Sequence, residues 1–458
     1  MKNMTIERIA QVTGGQLCNP NNCEISTKEI AGVINDNRKV EKDFLFVPMV
    51  GARVDGHDFI EDAFSKGALA TLSEKDLDNV SGPYIKVEDT KVALKQIATA
   101  YRMELSIPVI GVIGSVGKTS TKEMLASVLS TRFNVLKTDG NFNNEIGLPL
   151  TICRITDEHQ VAVVEMGISD FGEMHRLGDI AKPNYVVMTN IGQCHLEFLK
   201  DRDGILRAKT EVFEHMPEDG IVFLNGDDDK LSIADTLGLK KIFYGLNGEE
   251  VSATNVEADG IVGSKATFTA YGESFNVEIP LPGEHNIMNA LAATAVGIQM
   301  GLSKLDVVRG LKNASTISGR NNVITMRGIT VIDDCYNANP VSMKASIEVL
   351  GKAPGKTIAV LGDMGELGED ERQLHYGIGA ALQENHIGTV FTVGPLSAEI
   401  DSALRQGNSS CMSHHYDTVE AMLEDLLPIM RSGDTILVKA SHFMGFSAVV
   451  DAIIDRLK

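Results

Sequence analysis

The sequence predicts an α/β protein of three domains, and three observations support this prediction. The 458 residues exceed what a single hydrophobic core usually organises. Strand-like apolar runs alternate with helical patterns through most of the chain, which is typical of mostly parallel sheets covered by helices. A glycine-rich turn, residues 114–120, lies between a buried strand and a helix. We expect domains at residues 1–84, 85–313 and 314–458.

The first domain is expected to be a mixed α/β unit of short elements. Residues 44–48 form an apolar run typical of a strand, and residues 58–67 have the pattern of a helix that ends at a glycine. A strand and a helix within residues 84–104 then lead into the central domain.

The central domain is expected to contain a mostly parallel sheet, and the third domain a smaller Rossmann-like α/β unit. In the central domain, strands are predicted at 107–113, 161–165, 185–191 and 221–224, helices at 121–131 and 286–301, and a hairpin within 266–281. In the third domain, strands are predicted at 330–332, 357–361, 389–393 and 435–438, and helices at 371–385, 398–406 and 444–457. The regular alternation of the two patterns is the basis for both predictions.

The turn at 114–120 has the composition of a phosphate-binding loop, or P-loop. Glycines at a strand-to-helix turn let backbone N–H groups close around phosphate oxygens, and the helix N-terminus adds partial positive charge. Lys118 could reach the terminal phosphates, and Thr119 offers a hydroxyl to Mg²⁺. The loop is shorter than usual, because Val112 stands where the common pattern has glycine or alanine. We predict that a nucleoside triphosphate binds through Gly114, Ser115, Val116, Gly117, Lys118, Thr119 and Ser120.

Outside the loop, Glu165 is a candidate for metal binding, and His195 and Lys209 have weaker signals. Glu165 ends a predicted strand, which is a common place for a Mg²⁺ ligand, although a capping or surface glutamate would also fit. His195 follows another predicted strand, but a lone histidine is as often structural. Lys209 lies on a predicted helix, where a solvated lysine is the ordinary interpretation. From the residues alone, His195 and Lys209 stay open.

Polar residues near the second domain boundary are candidates for nucleotide binding. Asn286 and Asn289 are about one helical turn apart and could contact an adenine edge, although helix capping would explain them equally. Arg320 lies close to the boundary and could reach a γ-phosphate. Asp334 and Asn337 belong to a polar cluster after a strand, and burial of such a cluster costs free energy unless it has partners.

The composition restricts the function further. The net charge of -20 argues against nucleic acid or an anionic membrane surface as a partner. No apolar run is long enough to span a bilayer, and the first residues carry charges where a signal peptide needs an apolar stretch. The 6 cysteines are scattered without a C-x-x-C pair, which predicts reduced thiols and a cytoplasmic location.

Taken together, these segments resemble the Mur ligase family. The resemblance covers the whole chain in order, and the segment at 54–68 is similar to a uridine-nucleotide domain of that family. The matching stretches are GSVGKTSTKEM (114–124), GNFNNEIGLPLT (140–151), VVEMGISDFGEMHRL (163–177), NIGQCHLEFL (190–199), AKTEVF (208–213), GEHNIMNALAA (283–293), DDCYNANPVSMKA (333–345) and LGDMGELGEDE (361–371). NFNNEIG and DDCYNANP are specific to one member of the family.

The resemblance implies roles that the residues alone leave open. Glu165 and His195 would be Mg²⁺ ligands, and CO₂ would carbamylate Lys209, which turns a cation into an anion able to bind Mg²⁺. The implied ATP contacts outside the loop are Asn144, Asn286, Asn289, Arg320, Asp334 and Asn337. The implied uridine contacts are Asn37 and Arg38. The implied catalytic residues are Lys118, His195, Lys209 and Arg320.

The implied activity is that of an ATP-dependent, ADP-forming ligase that makes an amide bond through an acyl phosphate. The implied substrates are UDP-N-acetylmuramoyl-tripeptide and D-alanyl-D-alanine, the pathway is peptidoglycan precursor synthesis, and the protein is expected to act as a monomer. Two alternatives remain: a family member that adds a diamino acid or glutamate, and a nucleotide switch without ligase chemistry.

Two segments depart from the family pattern. The usual Lys-Gly-Ser-Arg reads Lys-Ala-Ser-His at 439–442, which removes the arginine's fixed fork of donors. The usual Asp-Ser-Arg reads Asp-Asn-Arg at 36–38, so an amide replaces a hydroxyl in the expected uridine site.

Overall fold

The computed structural model describes residues 1–19, 23–407 and 411–458, and its strands form three separate sheets of 5, 9 and 6 strands. Each sheet consists of strands that are consecutive along the chain, with helices in the connections. The expected three-domain α/β architecture is therefore confirmed. The last strand of the first sheet, Tyr84–Lys86, spans the limit predicted at residue 84. The three residue ranges stay a prediction.

The first domain contains a small mixed sheet. Its elements are α1 Ile6–Thr13, β1 Gln16–Cys18, α2 Cys23–Ser26, β2 Gly32–Ile34, β3 Phe44–Phe46, α3 Ile60–Ser65, β4 Ala70–Ser73, β5 Tyr84–Lys86 and α4 Thr90–Glu104. The strand order is β1-β5-β4-β3-β2, and only the β1–β5 pair is antiparallel. The predicted strand at 44–48 and helix at 58–67 are present in shorter form.

The central domain contains the largest sheet. Its strands are β6 Val109–Ile113, β7 Val135–Lys137, β8 Val161–Glu165, β9 Tyr185–Met188, β10 Ile221–Asn225, β11 Lys240–Gly245, β12 Val251–Asp259, β13 Gly263–Ala270 and β14 Glu273–Ile279. Its helices are α5 Lys118–Leu129, α6 Gly147–Cys153, α7 Glu173–Ala181, α8 Leu196–Leu199, α9 Arg202–Thr210, α10 His285–Gln299 and α11 Lys304–Lys312. The strand order is β14-β13-β12-β11-β10-β9-β6-β8-β7. The pairs from β7 to β12 are parallel. Strands β13 and β14 form the predicted hairpin, and β12, which was not predicted, pairs antiparallel with β13.

The order of the central strands determines where a ligand can bind. Strand β6 is buried along its whole length between β8 and β9, which explains its continuous apolar sequence. Strands β7 and β8 lie on one side of β6, and strands β9 to β14 lie on the other side. The connection from β8 to β9 therefore crosses β6, and the strand order reverses at β6. In such sheets ligands bind outside the carboxyl ends of the strands at the reversal.

The third domain contains a six-stranded sheet. Its elements are β15 Asn322–Met326, β16 Ile329–Asp333, α12 Pro340–Gly351, β17 Thr357–Gly362, α13 Glu371–Tyr376, α14 Ile378–Glu384, β18 Thr389–Val393, α15 Ala398–Gln406, β19 Met412–Tyr416, α16 Val419–Ile429, β20 Thr435–Lys439 and α17 Ser447–Leu457. The order is β15-β16-β20-β17-β18-β19, and only β15–β16 is antiparallel.

One predicted helix of the third domain is wrong as a single element. The segment 371–385 forms two helices, α13 and α14, that meet at Gly377. Glycine has low helix propensity, and the preceding turn is fixed by buried His375, whose Nε2 accepts the N–H of Met364 at 2.8 Å.

The hydrophobic cores join the first two domains. One apolar cluster runs from Ile6 and Leu45 in the first domain to Val164 and Val186 in the central sheet. A second cluster lies on the other face of the central sheet, and the third domain has a cluster on each face of its own sheet. Among the described residues, no helix combines the length and the apolar character that a membrane crossing needs.

Candidate nucleotide and metal site

The P-loop connects β6 to α5 and is shaped by residues that follow β9. Gly117, which caps the N-terminus of α5, has φ +83°, a conformation that favours glycine. A Cβ on Gly114 would lie 1.9 Å from Thr189 Oγ1, so only glycine fits there. Thr189 Oγ1 donates to the Val116 carbonyl at 2.6 Å. The loop therefore takes its shape from the adjoining strand.

Asn190 adds three further hydrogen bonds to the same loop, two through its side chain and one through its carbonyl. Its Oδ1 accepts the N–H of Val116 at 2.9 Å, and its Nδ2 donates to the Val116 carbonyl at 3.0 Å. The Ser115 N–H donates to the Asn190 carbonyl at 3.0 Å. Each of these bonds fixes a loop residue that faces the cavity.

Lys118, at the start of α5, folds its side chain back onto the P-loop. Its Nζ donates to the carbonyls of Gly114 at 2.8 Å and Ser115 at 3.3 Å. Burial lowers the pKa of Lys118, and the nearby Glu165 carboxylate acts in the opposite direction. A phosphate in the loop would be a stronger acceptor than these carbonyls, because hydrogen bonds to ionised groups are about twice as strong.

Glu165 lies at the end of β8, directly beside β6, and one of its two carboxylate oxygens accepts no hydrogen bond from the described residues. Its Oε1 accepts from Asn143 Nδ2 at 2.7 Å. Its Oε2 is buried and has no hydrogen-bond partner among the described residues. Because an uncompensated buried carboxylate oxygen is costly, the position fits a bound cation. Thr119, buried on the same cavity wall, can contribute its hydroxyl.

His195 connects the central and third domains. It has φ +51°, the left-handed region that residues other than glycine rarely adopt. Its Nδ1 lies 2.5 Å from Oε2 of Glu366, a residue of the third domain. Burial lowers the pKa of His195; the Glu366 carboxylate opposes this, and the ammonium groups of Lys209 and Lys118 add to it.

Lys209, on α9, is 1% exposed. Burial lowers the pKa of its ammonium to about 8, and the neighbouring Lys118 contributes in the same direction. No carboxylate of the described residues contributes to this shift. Lys209 is therefore a buried lysine without a neutralising acid among the described residues, and its ammonium helps to lower the pKa of His195.

A cavity of about 530 Å³ lies between the central and third domains. Both domains contribute predicted site residues to its wall: Ser115, Val116, Gly117, Lys118, Thr119, Ser120, Asn144, Glu165, His195, Asn289, Arg320, Asp334 and Asn337. Gly114, Asn286 and Lys209 lie behind this wall, and Asn37 and Arg38 lie in the first domain.

Arg320 faces this cavity from the start of the third domain. Its guanidinium lies over the ring of Tyr336, 4.0 Å from the ring centre. Its Nε is buried and has no hydrogen-bond partner within the described part of the chain. A donor of this kind, held by an aromatic ring and otherwise unused, suits a phosphate oxygen.

Asp334 is held in place by three donors. Its Oδ2 accepts from Lys439 Nζ at 2.5 Å and from Ser346 Oγ at 2.6 Å, and its Oδ1 accepts from the Asn321 N–H at 3.0 Å. Lys439 also donates to the Asn337 carbonyl at 3.0 Å. The lysine of the altered segment at 439–442 is thus the partner of Asp334. The remaining lone pair on Oδ1 could accept from a ligand hydroxyl.

Asn286 and Asn289 share a face of α10, as their spacing predicts. Asn289 Nδ2 donates to Asn286 Oδ1 at 3.0 Å, and Thr121 Oγ1 donates to Asn289 Oδ1 at 2.9 Å. Asn286 Nδ2 donates to the Pro282 carbonyl at 2.8 Å. Only Asn289 reaches the cavity wall, while Asn286 orients it from behind.

The residues expected at the uridine are bonded within the first domain. The Arg38 guanidinium donates to Asp36 at 2.9 Å and lowers the pKa of that carboxyl. Asn37 Nδ2 donates to Asp62 at 2.7 Å. The Arg38 side chain is 81% exposed and so is accessible to a ligand.

Sequence reasoning missed several residues that shape the site: Asn143, Thr189, Asn190, Tyr336, Glu366 and Lys439. Four of them lie within three residues of the carboxyl end of a strand, which is a usable signal in a parallel sheet: Thr189, Asn190, Tyr336 and Lys439. Asn143 and Glu366 lie further along their loops, and only the approach of the third domain brings Glu366 to His195.

The P-loop lies where the strand order of a mostly parallel sheet reverses. Beside it lie a carboxylate oxygen of Glu165 without a partner in the described ranges and the wall of a second domain. These features define the class of multidomain P-loop nucleotide-binding α/β proteins. Family patterns agree with that class: the Mur ligase middle domain matches residues 112–297, the Mur ligase glutamate ligase domain 319–442, and the Mur ligase family catalytic domain 29–102. The chain belongs to the Mur ligase family.

Individual relatives match over nearly the whole chain. The UDP-N-acetylmuramoyl-tripeptide–D-alanyl-D-alanine ligase of Bacillus subtilis is 39% identical, with 98% of each chain covered. A solved MurF structure from Acinetobacter baumannii is 30% identical with a TM-score of 0.89, and 99% of each chain is covered. The MurF ligase of Thermotoga maritima, solved in complex with ADP, is 31% identical with a TM-score of 0.81, covering 93% of this chain and 97% of that chain.

Proposed function

We propose that this chain is an ATP-dependent, ADP-forming ligase that joins D-alanyl-D-alanine to the terminal carboxylate of UDP-N-acetylmuramoyl-tripeptide. The reaction belongs to peptidoglycan precursor synthesis, and through it to cell-wall biogenesis, cell shape and cell division. The substrate assignment rests on the similarity, over nearly the whole chain, to the UDP-N-acetylmuramoyl-tripeptide–D-alanyl-D-alanine ligase of Bacillus subtilis. The two-domain cavity, which places the P-loop opposite Arg320 and Asp334, supports the use of ATP.

ATP occupies the cavity in this proposal. Backbone N–H groups of the P-loop and Lys118 bind the phosphates, and Arg320 contacts them from the third domain. Asn289 contacts the adenine, oriented by Asn286, and Asp334 accepts from a ribose hydroxyl. Asn144 and Asn337 line the same wall and complete the nucleotide contacts.

The residues present fit a Mg²⁺ site. Glu165 offers its spare oxygen, Thr119 its hydroxyl, and His195 a ring nitrogen. Mg²⁺ bound there would neutralise charge on the phosphate oxygens during transfer.

Lys209 becomes a further ligand if it is carbamylated. Carbamylation needs a neutral amine, and burial near Lys118 favours that form. The N–C bond forms between Nζ and CO₂, and Nζ loses a proton, which leaves a carbamate anion. The anion removes the uncompensated positive charge beside Lys118 and offers oxygen ligands.

The chemistry has two steps. The tripeptide carboxylate attacks the γ-phosphorus, ADP leaves, and an acyl phosphate forms while Lys118 and Arg320 stabilise the developing charge. The amine of D-alanyl-D-alanine then attacks the acyl carbon, phosphate leaves, and the amine loses a proton. Because water hydrolyses an acyl phosphate, the third domain must cover the site while it exists.

The remaining assignments follow from this reaction. Asn37 and Arg38 bind the uridine part of the substrate, since they lie in an accessible part of the first domain. The supply of ATP and uridine nucleotides places the reaction in the cytoplasm. One chain supplies both walls of the cavity, so the protein acts as a monomer.

A phosphate-release assay tests the proposed function. With UDP-N-acetylmuramoyl-tripeptide and ATP, we expect sustained release of phosphate only after D-alanyl-D-alanine is added, together with a UDP-linked pentapeptide by mass spectrometry. A panel of glutamate and diamino acids with the corresponding shorter acceptors serves as the control. Turnover with one of those pairs instead would assign the chain to another Mur ligase reaction. Slow ATP hydrolysis that no carboxylate substrate changes would point to a nucleotide switch.

Lys118→Ala tests the role of the P-loop in that assay. We expect loss of ligation with an unchanged circular dichroism spectrum, because the Lys118 Nζ binds only two loop carbonyls in the protein itself. The matched variant is Lys91→Ala, which removes an exposed lysine from the N-terminus of α4. Near-normal turnover of Lys118→Ala would contradict the assignment.

A further inference from the structure

His175, Glu214 and His215 form a cluster in the central domain, away from the residues that line the nucleotide cavity. His175 lies on α7, while Glu214 and His215 belong to the 3₁₀ helix Glu211–His215 that follows α9. We propose that this cluster, which we call the histidine pair site, binds a transition-metal cation, with Zn²⁺ as the best match. The proposal does not depend on the ligase activity.

The donor atoms of the histidine pair site already have nearly the spacing that zinc requires. His175 Nδ1 lies 3.2 Å from Glu214 Oε2 and 3.1 Å from His215 Nε2. All three donor atoms lie within 4.8 Å of one another. Two ligands of a tetrahedral Zn²⁺, each roughly 2.0–2.1 Å from the metal, are about 3.3 Å apart. Small side-chain rotations would therefore complete the site.

With both imidazoles neutral and Glu214 ionised, the three groups cannot all pair with one another at His175 Nδ1. His175 Nδ1 faces both the Glu214 carboxylate and His215 Nε2, but a neutral imidazole has only one proton for its two nitrogens. If His215 donates to Nδ1, the Glu214 oxygen faces a nitrogen that has no proton. If Nδ1 carries the proton, it can donate well to only one of its two neighbours. A metal ion would accept a lone pair from each group at once.

The surroundings of His215 hold its ring in place and leave a position for solvent. The His215 side chain is 13% exposed, so packing limits the orientations of the ring. Its other ring nitrogen, Nδ1, lies 3.8 Å from Asp179 Oδ1, so a carboxylate lies behind the proposed ligand. His175 and Glu214 are more than half exposed, which leaves room for water as a fourth ligand.

The backbone around the histidine pair site is fixed in advance. The Glu211 carboxylate accepts the N–H of Gly172 at 3.0 and 3.1 Å and the N–H of His175 at 3.1 Å. It thereby ties the first turn of α7 to the 3₁₀ helix. A Cβ on Gly178 would lie 2.8 Å from the His215 ring, so glycine makes room for that ring.

The donor set selects the kind of metal. Two imidazoles and one carboxylate suit zinc and its neighbours in the first transition row. Mg²⁺ and Ca²⁺ prefer sites in which oxygen ligands predominate, whereas two of the three donors here are nitrogens. A bound ion would connect α7, which begins at the cavity residue Glu173, to the segment that directly follows Lys209. The site would thus stiffen two segments behind the nucleotide cavity.

Metal titration of the full chain tests the proposal. Chelator-treated protein is titrated with Zn²⁺ by calorimetry, and with Co²⁺ while the visible spectrum is recorded. We expect the wild type to bind one Zn²⁺ more than His175→Ala, and to show a tetrahedral Co²⁺ spectrum that His175→Ala lacks. Glu214→Gln should weaken this site at least about 10-fold. Zn²⁺ should raise the melting temperature of the wild type more than that of His175→Ala.

Two features keep the test decisive. Both substituted side chains are exposed, so the variants should fold, which circular dichroism verifies. His386→Asn is the matched control, because His386 is an exposed histidine elsewhere and its φ of +53° suits asparagine. Equal zinc stoichiometry in the wild type and His175→Ala would overturn the proposal. A Co²⁺ spectrum that survives in His175→Ala would do the same, because the metal would then lie elsewhere.

Discussion

At the scale of single residues, Lys209 shows how burial changes what a side chain can do. On sequence alone it is an ordinary helix lysine, but it is 1% exposed and has no acid to neutralise it. A buried ammonium without a partner is costly, so burial raises the fraction of Lys209 that is a neutral amine. The carbamate hypothesis therefore has a physical reason besides the family resemblance.

The first prediction concerns this lysine. Lys209→Ala should lower ligation at least about 100-fold, since it removes a presumed metal ligand. A short carboxylic acid such as acetate should restore part of the activity, because it can occupy the vacated space as the carbamate would. Lys209→Met fills that space and should be equally inactive but not rescued. Full activity of Lys209→Ala without acid would leave Lys209 a structural residue.

A second residue-scale prediction concerns Gly114. Because a Cβ there would lie 1.9 Å from Thr189 Oγ1, Gly114→Ala must displace the side chain that holds the P-loop. We expect weaker ADP binding by calorimetry and a stability loss of about 1–3 kcal/mol, typical of overpacking.

Two companion variants check the cause. Gly192→Ala should be mild, since its Cβ would lie 3.6 Å from its nearest neighbours. Adding Thr189→Ala to Gly114→Ala should recover part of the stability, because it removes the clashing oxygen. A double variant no better than Gly114→Ala alone would show that the clash is not the reason.

At the scale of elements, the N-terminus of α12 carries site residues and is built to begin where it does. Asn339 has extended backbone, its Oδ1 accepts the N–H of Ser342 at 2.9 Å, and Ser342 Oγ accepts the N–H of Asn339 at 3.1 Å. Pro340 occupies the first helical position, where its missing N–H costs nothing. The start of this helix, and with it the position of Asn337, follows from local chemistry.

This element carries the third prediction. Asn339→Ala should destabilise the third domain by about 1 kcal/mol, the usual cost of a lost N-cap. In a unit of this size the melting temperature should fall by about 2–4 °C, measured calorimetrically without nucleotide. Asn339→Ser keeps a capping oxygen and should stay close to the wild type. Equal melting temperatures for Asn339→Ala and the wild type would show that the cap is dispensable.

Elements were largely predictable from the sequence where their pattern is continuous. Strand β8 and strand β18 have the predicted limits, since a fully buried parallel strand forms a short, mostly apolar and β-branched run with clear ends. Helix α5 begins at Lys118, three residues before the predicted start, because its first turn belongs to the P-loop. Positions 371–385 divide into two helices at Gly377, because the low helix propensity of glycine combines with the hydrogen bond of buried His375 to Met364, a tertiary contact that periodicity does not reveal.

At the scale of the whole molecule, the site exists only where two domains meet. Arg320, Asp334 and Asn337 reach the nucleotide cavity from one side and the P-loop from the other. The contact between His195 and Glu366 also crosses from the central to the third domain. Ligands that bind both walls should therefore change how closely the domains approach.

The fourth prediction tests that coupling. A nonhydrolysable ATP analogue with UDP-N-acetylmuramoyl-tripeptide should compact the protein, seen as a smaller radius of gyration in small-angle scattering. Arg320→Ala, which removes one contact from the third domain, should reduce the change. If calorimetry confirms that both ligands are bound and the radius is unchanged, closure is not the step that assembles the site.

The sequence by itself determined the α/β class, the P-loop and the strand-end position of Glu165, because these depend on local periodicity and on glycine at one turn. It also supplied the family resemblance, which the comparisons confirm. Only the tertiary structure decided that Lys209 is buried, that Lys439 is the partner of Asp334, and that Glu366 meets His195. Lys439 and Asp334 are 105 positions apart in the sequence, and Glu366 and His195 are 171 positions apart. The burial of Lys209 depends on the elements that pack over its side chain. Burial and long-range pairing arise when separate elements pack together, and no local pattern records them.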